Sequence, residues 1–312
     1  MSMKQVIDQA LPARRSPRKR IRQSAGERIG EVLIYGFIVL LSLTCLLPFL
    51  HVLSKSISSN GPVTAQQVYL LPKQLNFEAY RQVLSDRPMM ASLWFSVKVT
   101  LLFTLIGMVL TILAAYPLTR KRLKGRSVLT FLFVFTLYFY AGIVPDFLLM
   151  RDLGLLNTQW AIILPLALSP YNMIILKNYF QHSIPDSLEE SAFIDGATDF
   201  TILTRIFLPL SMPVLATLTL FYAVGRWNAY QDVLFYITKD TSLYTLQYKL
   251  SLFVDTSGRN VGALESSVGA PFIVQEVVQA ACIMFATIPI LIIYPFLQRY
   301  FVKGVMLGAV KG

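Results

Sequence analysis

Residues 181–213 read QHSIPDSLEESAFIDGATDFTILTRIFLPLSMP, a polar segment that lies between two apolar runs. Ser187 followed by Glu190 matches a capping box, and Pro185 stands just ahead of it, so a helix is predicted to begin at Ser187. Gly196 is expected to end that helix, because a residue without a Cβ atom takes the left-handed conformation of a helix C-terminus at little cost. The segment is therefore predicted to be structured.

The second half of this segment predicts another short helix, which runs from Thr198 or Asp199 to Ile206. Pro209 then marks the start of the next apolar run. The product is a bent pair of amphipathic helices over residues 185–209, which we call the elbow.

On both sides of the elbow the chain is dominated by apolar runs. A helix needs about 20 residues to cross ~30 Å of hydrocarbon at ~1.5 Å per residue. The runs that reach this length are 31–53, 92–118, 127–150, 160–180, 206–227 and 273–298, the third of them interrupted by Gly142 and Pro145. The sequence thus predicts an all-α integral membrane protein with six transmembrane helices and places the elbow between the fourth and the fifth.

The composition indicates that lipid is the main solvent of the chain. Of the 312 residues, 55% are hydrophobic and 14% are charged, whereas soluble domains carry about 25% charged residues. The formal net charge of +11 could suggest nucleic acid. The basic residues, however, cluster beside the apolar runs, as retention of Lys and Arg on the cytoplasmic side predicts. We therefore expect contact with membrane lipid and no nucleic-acid partner.

The basic residues also predict the orientation. With the N-terminus inside, the inner segments hold 18 Lys and Arg and the outer segments hold 8. This difference puts both termini, and the elbow, in the cytoplasm. The expected organisation is a basic tail (1–30), a transmembrane region (31–298) with outer loops at 55–91 and 229–272, and a C-terminal tail (299–312).

The first half of the elbow is acidic, which bears on what it contacts. Its carboxylates are Asp186, Glu189, Glu190, Asp195 and Asp199. A helix that lies on the inner leaflet normally presents Lys and Arg to the headgroups, and the negative surface potential would repel acids. The pattern favours docking on a protein partner, with an interfacial helix as the alternative.

No motif in the sequence points to catalysis or to a bound metal. Gly-x-x-x-x-Gly-Lys-Ser/Thr is absent, so the chain has no phosphate cradle for ATP. Cys45 and Cys282 both fall inside apolar runs, which indicates neither a disulfide nor a metal site. His51 and His182 lie at opposite membrane faces in this topology, so no serine has a partnered base. We expect no catalytic residue, no metal ligand, no cofactor and no enzyme activity in this chain.

Several motifs resemble those of the permease subunits of ABC importers. The EAA loop of that family is similar to Glu190-Ser191-Ala192, Asp195-Gly196-Ala197, Ile206, Leu208-Pro209 and Pro213, with Ser191 in place of the first Ala. Three further segments resemble the sugar-importer branch of the family, whose permeases are similar to MalG of the maltose transporter. They are Ala114-Ala115-Tyr116 with Arg120, Leu153-Gly154-Leu155 with Asn157-Thr158, and the C-terminal Gly308-Ala309-Val310-Lys311-Gly312. Residues 221–228 resemble a subgroup of the family that is associated with complex or acidic oligosaccharides.

The resemblance implies a function and a set of partners. In this family the loop is a coupling helix held in a cleft of a cytoplasmic ATPase. The chain would then be the transmembrane permease of an ATP-driven, binding-protein-dependent importer in a bacterial cytoplasmic membrane. Its partners would be a second homologous permease, two ATPase subunits that bind ATP and Mg, and an extracytoplasmic solute-binding protein. The residues implied in coupling are Glu190, Ala192, Asp195, Gly196, Ala197, Ile206, Leu208 and Pro209.

The substrate is expected to be an oligosaccharide, either neutral or acidic. Because aromatic faces and amides suit sugars, the candidates for lining an outer substrate path are Tyr222, Arg226, Trp227, Asn228, Tyr230 and Gln231. Trp and Tyr also gather at membrane interfaces for reasons unrelated to substrate. Arg226 and Lys98 lie inside predicted spans, where a cation reaches water, pairs with an acid or meets an acidic sugar. Contact with the solute-binding protein is our hypothesis for the long loop 229–272.

Two other classes of protein stay open on the residues alone. A stand-alone secondary transporter or channel would need an intramembrane carboxylate for ion coupling, and the candidates, Asp146 and Glu276, lie near span ends. A membrane scaffold or signalling subunit would also be served by a structured acidic loop.

Overall fold

The computed structural model describes residues 25–255 and 274–309, and in this part of the chain the regular structure is helical apart from one isolated β-bridge between Ser58 and Leu75. The helices are, in chain order, α1 Ala25–Ser56, α2 Asn60–Thr64, α3 Glu78–Ser85, α4 Arg87–Thr119, α5 Arg126–Tyr138, α6 Ile143–Asp152, α7 Trp160–Ile163, α8 Pro170–Ser183, α9 Asp186–Ile194, α10 Asp199–Ile202, α11 Leu208–Leu210, α12 Met212–Asn228, α13 Gln231–Tyr236, α14 Leu246–Asp255 and α15 Gln275–Ala309. A π-helical turn, Leu203–Phe207, joins α10 to α11, and Thr241–Leu243 is a short 3-10 helix. The all-α prediction is confirmed for the described residues.

Among the described residues, three helices are long and apolar enough to cross a membrane on their own: Gly26–Ser56, Arg87–Thr119 and Gln275–Pro295. Two bent pairs bring the number to five if each is one span. The α5–α6 pair bends by 114°, and Asp199–Leu210 with α12 bends by 83°. The structure therefore has between three and five candidate spans, and the expected six are not confirmed.

The third and fourth apolar runs are not continuous helices, for reasons that the backbone makes clear. Gly142, which the sequence marked as an interruption, has φ +99° and separates α5 from α6. In the fourth run, Leu166 takes a left-handed φ of 59° and Pro170 starts a new helix, α8. Ser169 caps α8 by accepting a hydrogen bond from Asn172 N at 3.3 Å. With 14 residues, α8 is ~21 Å long, shorter than a hydrocarbon core.

The chain divides into two compact units at Leu50. In the first unit, the described residues form the N-terminal part of α1, and large apolar side chains from Ile29 to Leu47 are exposed within that unit. A helix of this length and composition is expected to bury such side chains in lipid. Residues 1–24 of the predicted basic tail, 256–272 of the predicted outer loop, 273 at the start of the predicted sixth span and 310–312 of the C-terminal tail lie outside the described residues.

The second unit, from His51 onward, is built around α4. α8 and α12 pack along it, and at Gly107 neighbouring segments come close to the backbone of α4. A Cβ atom on Gly107 would lie 2.8 Å from the carbonyl oxygen of Ala167 and 2.9 Å from the ring of Tyr222. Only a residue without a side chain allows these segments to pack so closely.

Two buried clusters hold the ends of the second unit. The elbow cluster consists of Ala115, Tyr116, Leu118, Met173, Leu176, Phe180, Ile184, Ile202, Leu203, Phe207, Val214, Leu215 and Leu218. The loop cluster consists of Val63, Val68, Ala79, Val83, Met89, Trp227, Leu246, Val277, Val278, Ala281, Cys282 and Ala286.

Candidate functional site

The elbow begins with α9, and its start differs from the sequence-based expectation. The helix begins at Asp186, one residue before the predicted Ser187, and the residue at its N-cap is Pro185, which makes no side-chain hydrogen bond. The predicted capping box is therefore wrong. Pro185 has an extended backbone and no N–H group to satisfy, and the acidic Asp186 and Glu189 fall in the first turn, where the helix dipole favours negative charge.

The bend of the elbow occurs at Gly196, as predicted. Gly196 has φ +79°, its N–H donates to Phe193 O at 3.0 Å, and Ala197 N donates to Ala192 O at 2.9 Å. These two bonds are the pattern of a helix that ends on a left-handed residue. The second helix starts after Thr198, whose hydroxyl accepts a hydrogen bond from Thr201 N at 3.3 Å.

The second arm of the elbow is longer than predicted. Instead of ending at Ile206, the helical path continues through the π-turn and α11 to Leu210 and breaks at Ser211. Pro209 lies inside this continuous path, as the second residue of α11. In the region of the predicted fifth span, 206–227, the structure has the end of the π-turn, α11 and then α12, and the span as such is not confirmed.

Four of the predicted coupling residues fasten the elbow to the rest of the unit. Ala192, Ala197, Ile206 and Leu208 are partly buried and pack against the elbow cluster. Burial of their apolar surface, at about 25 cal/mol per Å², stabilises the packing of the elbow against the elbow cluster. The elbow is therefore a packed part of the unit.

The most buried polar contact of the elbow is an ion pair between Arg120, just after α4, and Glu189 on α9. The side chains are only 9% and 17% exposed. The guanidinium carbon of Arg120 lies 4.6 Å from the ring centroids of both Tyr116 and Phe207, and its Nε donates to Thr119 Oγ1 at 2.9 Å. Arg120 thus joins the end of α4, the first arm and the second arm at one point.

Two neighbouring cations complete this anchor on the surface. Lys121 Nζ donates to Asp186 Oδ2 at 2.7 Å, and this contact lowers the pKa of the Asp186 carboxyl. Arg122 pairs with Asp199 and lies over the ring of Phe193, 4.8 Å from its centroid. We call Arg120, Lys121 and Arg122 the basic anchor.

The basic anchor was missed as a functional element by sequence reasoning, although a signal for it exists. Three of the five acids of the elbow are paired with it, so they are not offered to a partner. A block of adjacent cations at the end of one span and a block of acids in another segment on the same side is a charge complementarity that the sequence displays. Which acid meets which cation is visible only in the fold.

Four other side chains of the elbow are exposed and take no part in the basic anchor. Glu190 and Asp195 are exposed and have no ion pair among the described residues. Ile194 and Phe200 are 87% and 72% exposed. We call these four residues the docking face. Large apolar side chains rimmed by acids are typical of a surface that contacts another protein.

At the other end of α12, three of the predicted substrate residues are buried within the chain. The hydroxyl of Tyr222 hydrogen-bonds Thr111 Oγ1 at 2.7 Å and accepts from Ser169 N at 2.9 Å. Arg226 pairs with Asp232, with Nη2 3.0 Å from Oδ1, and Nη1 donates to the carbonyl oxygen of Ile162 at 2.9 Å. The sequence left three alternatives for Arg226: to reach water, to pair with an acid or to meet an acidic sugar. The structure has the ion pair with an acid.

Trp227 is also buried, in the loop cluster, and its Nε1 lies 3.3 Å from Ala286 O. Asn228, Tyr230 and Gln231 are exposed just beyond it. Lys98 donates to Gln159 Oε1 at 2.8 Å and has no acid within ion-pair distance among the described residues. Of the residues predicted to meet substrate, those that are exposed are therefore Asn228, Tyr230, Gln231 and Lys98.

A further polar residue at this end was not singled out by its side chain in the sequence. Asn157 has a left-handed φ of 59°, and its Oδ1 accepts hydrogen bonds from the backbone N–H groups of Thr238 and Lys239, both at 2.8 Å. Its own N–H donates to Tyr236 O at 2.9 Å. Asn157 therefore fastens the loop after α6 to the segment after α13.

Within residues 25–255 and 274–309, no group of three or more His, Cys, Asp or Glu side chains is arranged to hold a metal ion.

Comparison with known proteins identifies the family. Residues 89–307 match the family described as the binding-protein-dependent transport system inner membrane component. The chain belongs to this family. It is a permease subunit of an ABC transporter, and in such systems ATP hydrolysis belongs to separate ATPase subunits.

Individual relatives are similar over nearly the whole chain. The polygalacturonan/rhamnogalacturonan transport system permease protein YtcP of Bacillus subtilis is 43% identical over 286 residues, which cover 91% of this chain and 99% of that protein. Protein LplC of Bacillus subtilis is 39% identical and covers 86% of this chain and 90% of its own length. A chain of the crystal structure of a bacterial ABC transporter involved in the import of the acidic polysaccharide alginate superposes with a TM-score of 0.82 at 34% identity, covering 90% of this chain and 99% of that chain.

Proposed function

We propose that this chain forms half of the membrane pathway of an ATP-driven importer of acidic oligosaccharides and that the elbow receives force from a separate ATPase. The observation that carries the proposal is the construction of the elbow. It is anchored to the end of α4 by a buried ion pair, while Glu190, Ile194, Asp195 and Phe200 are left uncovered. A segment that is held by the unit on one side and exposed on the other is suited to transmit a displacement from a bound partner.

The mechanical route follows from the contacts of Arg120. A partner that displaces the docking face moves α9, and Glu189 on α9 is held by Arg120 at the end of α4. Phe207, in the second arm, has its ring centroid 4.6 Å from the carbon of the same guanidinium. Movement of the elbow would therefore turn α4 and α12 together, as a rigid-body route to alternating access requires.

The proposed topology has six crossings and both termini in the cytoplasm. The fourth crossing would be made of α7, the irregular residues 164–169 and α8. A broken helix is tolerated at membrane depth where protein covers it, and Ala161, Ile162 and Ile163 of α7 are fully buried. The orientation rests on the excess of Lys and Arg in the predicted inner segments.

The proposed partners are a second permease, two ATPase subunits and an extracytoplasmic solute-binding protein. The family description, which names binding-protein dependence, supports the last of these. Acidic oligosaccharides are proposed as substrate because two relatives are named for polygalacturonan and for alginate, both of which are acidic polymers. We propose that Asn228, Tyr230 and Gln231 line the path and that Lys98 meets a substrate carboxylate.

Copurification tests the coupling. The full chain is coexpressed with its ATPase subunits, and the amount of ATPase retained on the tagged permease is measured. Ile194→Asn and Phe200→Ser should reduce it strongly, whereas Leu71→Ser, a change of an equally exposed apolar residue outside the elbow, should not. Equal retention in all variants, or uptake of substrate by this chain alone in liposomes, would overturn the proposal.

Uptake tests the substrate. In proteoliposomes that hold the assembled transporter, ATP-dependent uptake of galacturonate oligomers should exceed that of neutral oligomers of the same length. Lys98→Met should lower uptake of the acidic oligomer selectively. A transporter that takes up both equally, with or without Lys98, would exclude acidic specificity in this chain.

A further inference from the structure

A groove of ≈ 370 Å³ lies between α5 and α8. Its lining includes neither the residues of the docking face nor the candidate substrate residues on and after α12. Two cations line it, Arg126 at the start of α5 and Lys177 on α8, and none of the residues that line it is acidic. Both side chains are partly buried. Neither has an acidic partner among the described residues. Two partly buried cations that share one groove without a counter-charge form a site for an anion.

The rest of the lining separates by polarity along α5. Ser127 and Thr130 add hydroxyl groups beside the cations, whereas Phe131 and Val134 continue the groove as an apolar floor. From Arg126 to Val134 the helix rises about 12 Å. The groove is therefore polar and positive at one end and apolar at the other, within the reach of a single amphipathic molecule.

The surroundings of the groove favour a lipid. α5 has no buried residue, and apolar side chains such as Val128, Leu132 and Phe135 are exposed along it. The positive end lies beside Leu118, at the end of α4 that also carries the basic anchor. In the orientation proposed above, this end is level with the headgroups of the cytoplasmic leaflet, where anionic lipids are bound by basic pockets between helices.

We propose that this groove binds an anionic phospholipid of the inner leaflet, with the phosphate between Arg126 and Lys177 and an acyl chain along Phe131 and Val134. The orientation rests on the proposed function, but the binding does not require transport. Occupancy would fill the gap between α5 and α8 and so brace the third and fourth runs beside the elbow.

The test is lipid retention on the purified full chain in non-ionic detergent, measured by native mass spectrometry with dioleoyl phosphatidylglycerol and with the zwitterionic phosphatidylcholine of the same chains. Arg126→Gln with Lys177→Gln should weaken phosphatidylglycerol binding about 25-fold, at about fivefold per cation. Lys124→Gln with Arg205→Gln removes the same charge from exposed positions outside the groove and should leave binding unchanged. If the double variant misfolds, each single variant should still show its fivefold loss.

Other outcomes overturn the proposal. Equal binding of the two lipids, or equal loss in the groove and control variants, would mean that the groove does not select an anionic headgroup. Displacement of the lipid by excess inorganic phosphate, together with no effect of Phe131→Ser, would assign the site to a free anion. If the groove variants retain lipid on the purified chain but no longer copurify with the second permease when the two are coexpressed, the cations belong to a subunit contact.

Discussion

The Arg120–Glu189 pair gives the sharpest prediction, because its two partners differ from the neighbouring ion pairs mainly in burial. Replacement of Glu189 by Gln keeps the size of the side chain and removes its charge. The guanidinium of Arg120, whose side chain is 9% exposed, then loses the carboxylate with which it pairs. The rings of Tyr116 and Phe207 and the hydroxyl of Thr119 remain around it.

The size of the effect follows from these contacts. Removal of one partner of a buried ion pair costs about 3–5 kcal/mol, and the two rings and the hydroxyl retain part of the stabilisation of the cation. We therefore expect Glu189→Gln to lower the free energy of local unfolding of the elbow by about 2–3 kcal/mol. This corresponds to amide exchange that is roughly 30- to 150-fold faster over residues 186–207.

Hydrogen exchange of the protein in lipid nanodiscs measures this directly. Arg120→Met combined with Glu189→Gln should cost less than Glu189→Gln alone, because the double variant leaves no buried charge without a partner. Lys121→Gln is the matched control, since the Lys121–Asp186 pair is exposed, at 81% and 66% for the two side chains, and should change exchange little.

The result that would refute the reasoning is additivity. If Glu189→Gln leaves exchange in the elbow within about threefold of the parent, or if the double variant costs the sum of the single ones, the pair is not the anchor of the elbow.

Three further outcomes are expected. Gly107→Ala should lower the free energy of unfolding by about 1–3 kcal/mol, because the new methyl group meets Ala167 O and the ring of Tyr222. In the control variant Gly225→Ala the new methyl group meets no atom within 4 Å. Equal shifts of the thermal unfolding temperature in the two variants would contradict this reasoning. Asn157→Ala should speed amide exchange at Thr238 and Lys239, whose hydrogen bonds it removes, while Asn157→Asp keeps the acceptor and should not. Since Lys121 lowers the pKa of Asp186, their contact stabilises the fold above the usual Asp pKa of about 3.9 and is lost as pH falls through the lower folded value. The protection of the elbow amides, measured relative to their intrinsic exchange rates at each pH, should therefore be constant between about pH 5 and 8, and a loss of protection already near about pH 6 would point to another group.

The sequence by itself determined the helical class, most of the long apolar helices and the bend of the elbow. Gly196 and Thr198 illustrate why. A left-handed C-terminus and a hydroxyl N-cap depend on residues within five positions along the chain, so their signals are local. Such signals also mislead locally, as at Ser187, where a good capping pattern lost to a proline one residue before the observed helix start.

The tertiary structure alone decided which charges meet and where the apolar runs break. Arg120 finds Glu189, Arg226 finds Asp232, and Asn157 finds the backbone after α13 only because packing around α4 brings these segments together. Hydropathy averaged over a run reports that a segment is apolar, but it does not report a helix break such as the one at Leu166. The energy of an ion pair depends on distance and burial, which no spacing along the chain specifies. For that reason the sequence predicted an acidic elbow, and only the fold separated the acids that anchor it from those that are free to dock.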